Sequence, residues 1–205
     1  MAITEVILVG GGGHAKVVAD CLQSQGTIVK GFFDPHQGNL LGLTCLGNYQ
    51  SALHTDVPVI IAIGDNAVRE RIARHEVKHR YFIAQHPSVI CSQYATIGEG
   101  SMLLHGAIVQ AGAVIGKHVI LNTGSQVDHD CVIGDYVHIA PSAVLCGGVE
   151  IGEGALIGAN AVVRPKIKIG KGVVAGAGAV VVRDVPDYAI IAGNPARVLK
   201  FNEPK

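Results

Sequence analysis

Apolar residues recur every six positions from Ile97 onward, at Leu103, Val109, Ile115, Leu121, Val127, Ile133, Ile139, Leu145, Ile151, Ile157, Val163, Ile169, Ala175 and Val181. Only Ala175 is not a larger aliphatic. Four residues after each stands a second, smaller set that runs from Ser101 and Ala107 through Cys131 and Val137 to Ala179. Helices repeat every 3.6 residues and strands every two, so a sustained period of six predicts short strands joined by regular turns. The dipeptide Ile-Gly returns at Ile97, Ile115, Ile133, Ile151 and Ile169, always 18 residues apart. Three hexapeptides therefore close one turn, and residues 18 apart stack at one strand spacing, about 4.8 Å. The aliphatic set fills a triangular coil whose corners are expected to carry small residues or glycine. Chance alignment does not hold register over so many steps. Open ends and flat apolar faces predict capping segments and self-association.

The first 85 residues follow another pattern. "EVILVG" is a continuous apolar run ending in glycines, "AKVVADCLQSQG" has helical spacing closed by Gly26, and "IVKGFFD" is a second strand ending at Asp34. "VPVIIAIGDN" predicts a further strand and turn, followed by the helix "AVRERIARHEV". Strand, helix and strand in this order give a parallel sheet of Rossmann-like α/β type. Residues 1–85 are thus expected to form a nucleotide-binding unit and residues 86–205 the coil with a C-terminal cap, with the junction near "QHPSVI". Gly10, Gly12 and Ala15 fit the relaxed G-x-G-x-x-G/A fingerprint, and Asp34 stands where a ribose-binding acid would fall. A tight turn without ligand gives the same letters. The unit is long enough for one mononucleotide half, which favours a nucleoside diphosphate linked to a sugar over a dinucleotide.

Charge and composition narrow the field. Sixteen basic residues balance sixteen acidic ones, so no global charge draws the chain to nucleic acid or to an anionic membrane. The five cysteines are odd in number and lack metal-type spacing, which argues against a disulfide framework. The first apolar run is too short for a signal peptide or membrane span, and a cytoplasmic location is expected. A basic cluster at Arg164, Lys166, Lys168, Lys171, Arg183, Arg197 and Lys200 suits either a polyanionic ligand or a solvated rim.

Ten histidines are present. His129 lies between Asp128 and Asp130, and imidazole beside a carboxylate is a general base poised near neutrality. In a regular strand both aspartates would turn away from the ring, so the pairing requires a bend. Gly147 is 18 residues beyond His129, and stacking would set a backbone N–H beside the ring, the pair an acyl-transfer oxyanion needs. His138 falls half a coil away, about 15 Å across the triangle, so the two histidines would meet only between neighbouring copies. His36, His54, His75, His79 and His118 read as solvated surface. The H-x-x-x-x-H spacing of zinc sites on similar coils is missing, since Gly134, Thr123 and Gln110 stand five after His129, His118 and His105. No metal is expected. Cys131 falls in an inward slot and Cys146 has no evident base, so no covalent nucleophile is marked.

"GGGGHAKVVAD", "FFD", "AIGDN", "NTGSQVDHD" and "GNPARV" together resemble the hexapeptide-repeat sugar acetyltransferases of the sialic acid O-acetyltransferase and bacillosamine-pathway family, over essentially the whole chain. The resemblance implies a left-handed parallel β-helix after the Rossmann-like domain and a homotrimer. The implied activity is N-acetyl transfer from acetyl-CoA to the amine of a nucleotide-linked, UDP-type amino-deoxy sugar for surface glycan synthesis. It implies His129 as base with Asp130 behind it, and His138, Gly147, Ala159 and Ala177 around acetyl-CoA. Gly11, Gly12, Gly13, His14, Asp34, Gly64 and Asn122 would hold the nucleotide sugar. Two alternatives remain: O-acetylation of a sialic acid or other sugar, and a dinucleotide-dependent oxidoreductase that uses the coil only to trimerise.

Overall fold

The computed structural model describes residues 4–36 and 38–203. Strands β1 (Glu5–Val9), β2 (Ile28–Phe33) and β3 (Val59–Ile61) form a parallel sheet in the order β2-β1-β3. Helix α1 (Gly13–Ser24) follows β1, and α2 (Asn66–His75) follows β3. The strands are almost wholly buried because both faces are covered, one by the α1 side chains Val18 and Leu22 and the other by Ile72 of α2.

From Ala84 the chain winds into a three-sided parallel β-helix. Its first face stacks Ala84–Gln85, Met102–Leu103, Ile120–Leu121, His138–Ile139, Leu156–Ile157 and Val174–Ala175. The second face carries Gln126–Val127 and Val144–Leu145 among its six strands, and the third carries Val132–Ile133 and Glu150–Ile151 among its five. The 18-residue register of the sequence is the register of the ladder: Ile97 pairs with Ile115, Ile133 with Ile151, and Ile151 with Ile169. Both periodic sets fill one continuous core, where Leu121, Cys131, Leu145 and Ala155 are fully buried.

The corners depart from the expected composition. The fourth residue of each hexapeptide takes a left-handed φ, and at His118, Asp130, Tyr136, Ser142, Asn160 and Lys166 that residue is not glycine. A left-handed φ on such residues is tolerated only where surrounding structure fixes it. At His118 and Tyr136 that structure is an aromatic column, with rings stacked at 5.3 Å and the ring of Tyr81 set edge-on to His118 at 4.3 Å. His118 is therefore buried, not solvated as the sequence suggested, and so is His79, which is held by the Tyr49 hydroxyl at 2.6 Å and the Leu53 carbonyl at 2.9 Å.

The α/β unit docks on the first face. Outward-facing Met102 and Ile120 are buried against Val18, Leu22 and Phe32, each contributing about 1.5–3 kcal/mol. The hairpin of Ala189–Gly193 and Ala196–Phe201 extends the same face at the other end. Among the described residues no helix is long and apolar enough to cross a membrane.

Candidate active site

The site residues expected from sequence fall into three places. At the corner between the second and third faces, His129 is exposed and its Nδ1 lies 2.8 Å from Asp130 Oδ2. The bend that a strand could not supply comes from the left-handed backbone of Asp130, φ 58°, which curls the carboxylate back onto the preceding ring. Aspartate is one of the few residues that visit this conformation readily. Asp128 accepts the backbone N–H of His129 at 2.7 Å. The bond from Asp130, with the charge of Asp128 beside it, raises the His129 pKa above its ordinary value of 6.5. A bonded Nδ1 leaves Nε2 as the working nitrogen.

Gly147 lies one coil above, at the same corner. A Cβ placed there would stand 2.5 Å from His129 Nε2 and 2.6 Å from Cε1. The absence of a side chain is what admits the ring. Among the described residues no acceptor takes the Gly147 N–H, whereas the neighbouring Gly148 N–H donates to the His129 carbonyl at 2.9 Å. A base nitrogen and an uncommitted backbone donor thus share one corner.

A second group forms where the α/β unit meets the first face. His14, at the start of α1, has its ring centroid 6.3 Å from that of His138 on the β-helix. Gly64, in the turn between β3 and α2, packs on His14 with a would-be Cβ 3.8 Å from its ring. Asn122 Oδ1 accepts the Thr123 N–H at 2.8 Å, which directs Nδ2 at His138 Nε2, 3.0 Å away. His138 Nε2 is therefore an acceptor and its proton sits on Nδ1. Burial, with the positive charge of Arg69 nearby, lowers the pKa of both His14 and His138 to about 4. Among the described residues His14 Nε2 is buried without a partner, the sort of orphaned group a ligand satisfies. The two environments push histidine pKa values apart, upward at His129 and downward at His138, which separates a proton acceptor from a neutral contact group.

The glycine turn before α1 also divides. Gly10 and Gly11 have packing reasons, since a Cβ on them would stand 2.7 Å from Ile63 Cγ1 and 2.6 Å from Phe32 Cε2. Gly12 and Gly13 face open space, with no atom of the described residues within 4 Å of a would-be Cβ, and Gly12 caps α1 with no side chain while the first turn holds no acid. An anion can approach those N–H groups. Asp34 accepts from the Gly11 N–H and the His36 N–H, each at 2.8 Å, so its carboxylate fixes the turn. The third place is the corner between first and second faces, where Ala159 and Ala177 stack one coil apart beside Gly158 and Gly178. One chain does not bring this corner to His129.

Sequence reasoning missed Arg69. It is fully buried and donates to the carbonyls of His118 (2.9 Å), Ile63 (3.0 Å), Gly64 (3.3 Å) and Tyr136 (2.7 Å) and to Asn66 Oδ1 (2.8 Å). Its signal was slight, an arginine three residues before Ile72 on the buried side of α2. Among the described residues no group of three or more His, Cys, Asp or Glu could hold a metal ion.

The pH dependence of any reaction using His129 follows from its bond to Asp130. Activity should rise with pH through an ascending limb set by the elevated imidazole pKa, because only the neutral ring accepts a proton. Asp130→Asn keeps the left-handed backbone but removes the charge, so the limb should move to lower pH and the plateau rate fall, by at most the roughly 10⁴-fold that this change costs a buried triad. An unshifted limb in a kcat/KM profile refutes the coupling.

Residues 5–75 match the PglD N-terminal domain family, and residues 112–147, 130–165 and 148–183 match the bacterial transferase hexapeptide family (six repeats). The chain is 39% identical over 109 residues to UDP-N-acetylbacillosamine N-acetyltransferase of Bacillus subtilis (strain 168), covering 48% of this chain and only half (50%) of that protein. Among solved structures, the acetyltransferase domain of PglB from Neisseria gonorrhoeae FA1090 in complex with acetyl coenzyme A is 38% identical, with a TM-score of 0.92 over 97% of this chain and 100% of that one. PerB from Caulobacter crescentus in complex with CoA and GDP-perosamine is 37% identical, with a TM-score of 0.91 over 97% and 99%.

Proposed function

Since this chain belongs to the hexapeptide-repeat sugar acetyltransferases, the family of those PglB and PerB proteins, we propose that it transfers acetyl from acetyl-CoA to the amine of a nucleotide-linked amino-deoxy sugar, with a UDP sugar the first candidate. The observation that carries the reading is the His129 ring, bonded to Asp130 at Nδ1 and facing Gly147 at Nε2. His129 takes the proton from the amine as the nitrogen bonds to the thioester carbonyl carbon. Asp130 orients the ring and stabilises the imidazolium without taking the proton. The Gly147 N–H donates to the oxyanion. Collapse breaks the carbon–sulfur bond, and His129 returns its proton to the leaving thiolate. A covalent acyl-enzyme has little support, because Cys131 is buried with Sγ 3.3 Å from the Cys146 carbonyl and burial raises its thiol pKa.

In this reading His14, Gly64 and Asn122, with Gly11, Gly12 and Gly13, hold the nucleotide sugar, and His138 meets the thioester end of acetyl-CoA. The backbones of Ala159 and Ala177 line the pantetheine groove. The three-stranded sheet is one mononucleotide half, which favours a nucleotide sugar over the dinucleotide of an oxidoreductase. The base corner and the substrate cluster lie on different sides of the prism, so a complete site takes His129 from one copy and His14 and His138 from the next. Exposed Val114 and Val132 on the third face and Ile90 on the second suit the contacts of a homotrimer.

The test is incubation with acetyl-CoA and a panel of UDP-, dTDP-, GDP- and CMP-linked amino sugars, read by thiol release and product mass, with light scattering on the active species. Thiol release with an amino sugar and a trimer mass are expected. Silence across the panel overturns the assignment, and acetylation of a hydroxyl analogue instead moves it to O-acetyl transfer.

A further inference from the structure

Arg69 is a buried cation whose hydrogen-bond acceptors among the described residues include no carboxylate. Desolvating a guanidinium costs several kcal/mol unless every donor is met, and here four backbone carbonyls and the Asn66 Oδ1 meet them. Two acceptors, the carbonyls of Ile63 and Gly64, belong to the turn that packs on His14. Two others, the carbonyls of His118 and Tyr136, belong to successive coils. Each of these coils goes straight on to the site: four residues after His118 is Asn122, and two after Tyr136 is His138. The fifth acceptor, Asn66, reaches with its own Nδ2 to the carbonyls of Gly154 and Ala155 on the coil above, each at 3.0 Å. One planar fork therefore spans the seam between the α/β unit and the β-helix where the His14 side meets the Asn122–His138 side.

We infer that Arg69 is the positioning residue of the substrate cluster: it sets the separation between His14–Gly64 and Asn122–His138 and so fixes the gap in which the nucleotide-linked sugar is held. The inference rests on the acetyltransferase reading for its kinetic test, but not for its structural one. Arginine is required because its five donors lie in one plane; lysine keeps the charge and loses the fork. The guanidinium charge also opposes protonation of His14, His118 and His138, each lowered to about 4 with burial as the larger cause.

The test compares Arg69→Lys and Arg69→Met with the parent protein, with active concentration normalised by titration. In both variants KM for the nucleotide amino sugar should rise about tenfold, the equivalent of about 1.4 kcal/mol of lost binding. The pH limb set by His129, on another corner, should not move, and kcat per active molecule should fall far less than KM rises. A general loss of folding lowers kcat evenly and does not produce that split. The His138 ring proton, followed by NMR, should titrate higher than its parent value in the Met variant and nearer to it in the Lys variant. If Arg69→Met does not fold, Asn66→Ala should still raise KM for the nucleotide sugar about threefold by removing one anchor of the fork. An unchanged nucleotide-sugar KM in folded variants overturns the inference. Should the parent protein transfer no acetyl at all, the acetyltransferase reading fails, and the separation of the His14 and His138 rings, 6.3 Å between centroids in the parent and followed by NMR ring-to-ring contacts, still decides on Arg69: contacts unchanged in Arg69→Met, or in Asn66→Ala if the former does not fold, sink it.

Discussion

His129→Ala is expected to lower turnover by about two to four orders of magnitude, the usual worth of a general base, with acetyl-CoA binding nearly unchanged. The ring is exposed and packs into no core, so its removal leaves no cavity and folding should be unaffected. Its partner Asp130 would then have no imidazolium to stabilise, and Asp130→Asn on top of His129→Ala should add little, since groups that act as one unit are not additive. Stopped-time thiol release gives kcat, and calorimetry gives acetyl-CoA affinity. Near-normal turnover would falsify the assignment of His129 as base.

Gly147→Ala should be almost as damaging, for steric reasons. The new methyl would stand 2.5 Å from Nε2, inside van der Waals contact, so the ring must swing away from both the amine and the uncommitted amide. Gly147 does not adopt a left-handed φ, so the backbone accepts alanine without strain and the loss falls on chemistry. A fall of about a hundredfold or more is expected from misplacing the base and blocking the oxyanion donor together. Gly148→Ala is the control: its φ of 68° makes alanine costly in stability, by about 1–2 kcal/mol, but the nearest side-chain atom, Lys166 Cγ, is 3.4 Å away. The first variant should be stable and slow, the second less stable with turnover per folded molecule retained. The opposite pattern refutes the role given to Gly147.

Much of this was legible in the sequence for a physical reason. A period of six constrains every coil at once, so the interior positions and the stacking of Gly147 on His129 follow from counting. The βαβ order gave the parallel sheet in the same way. What the letters did not disclose depends on contacts made across the chain. The burial of His118 comes from Tyr81 and Tyr136, and that of His79 from Tyr49 and Leu53, none of which has a fixed spacing from its partner. Arg69 stands in a helix that looks like ordinary charged surface, yet its face is turned into the seam. Asp130 was half legible: the need for a bend was clear, while its left-handed backbone was visible only once the non-glycine corners were. The neutral state of His138 likewise depends on burial and on the Arg69 charge, and its tautomer on Asn122, sixteen residues away.

The ladder also limits how such a gene can change in length. Adding six codons between Asp130 and Pro141 would keep the interior pattern intact and the protein foldable, but every later corner would rotate by a third of a revolution, and the residue above His129 would become Pro141, which has no amide hydrogen to offer. Removing six would bring Glu153 to the same spot. Even a whole inserted 18-residue turn, which restores the corner, would set Gly147 two coils above the imidazole, about 9–10 Å away, so the spacing between these two residues stays at one turn or the chemistry is lost.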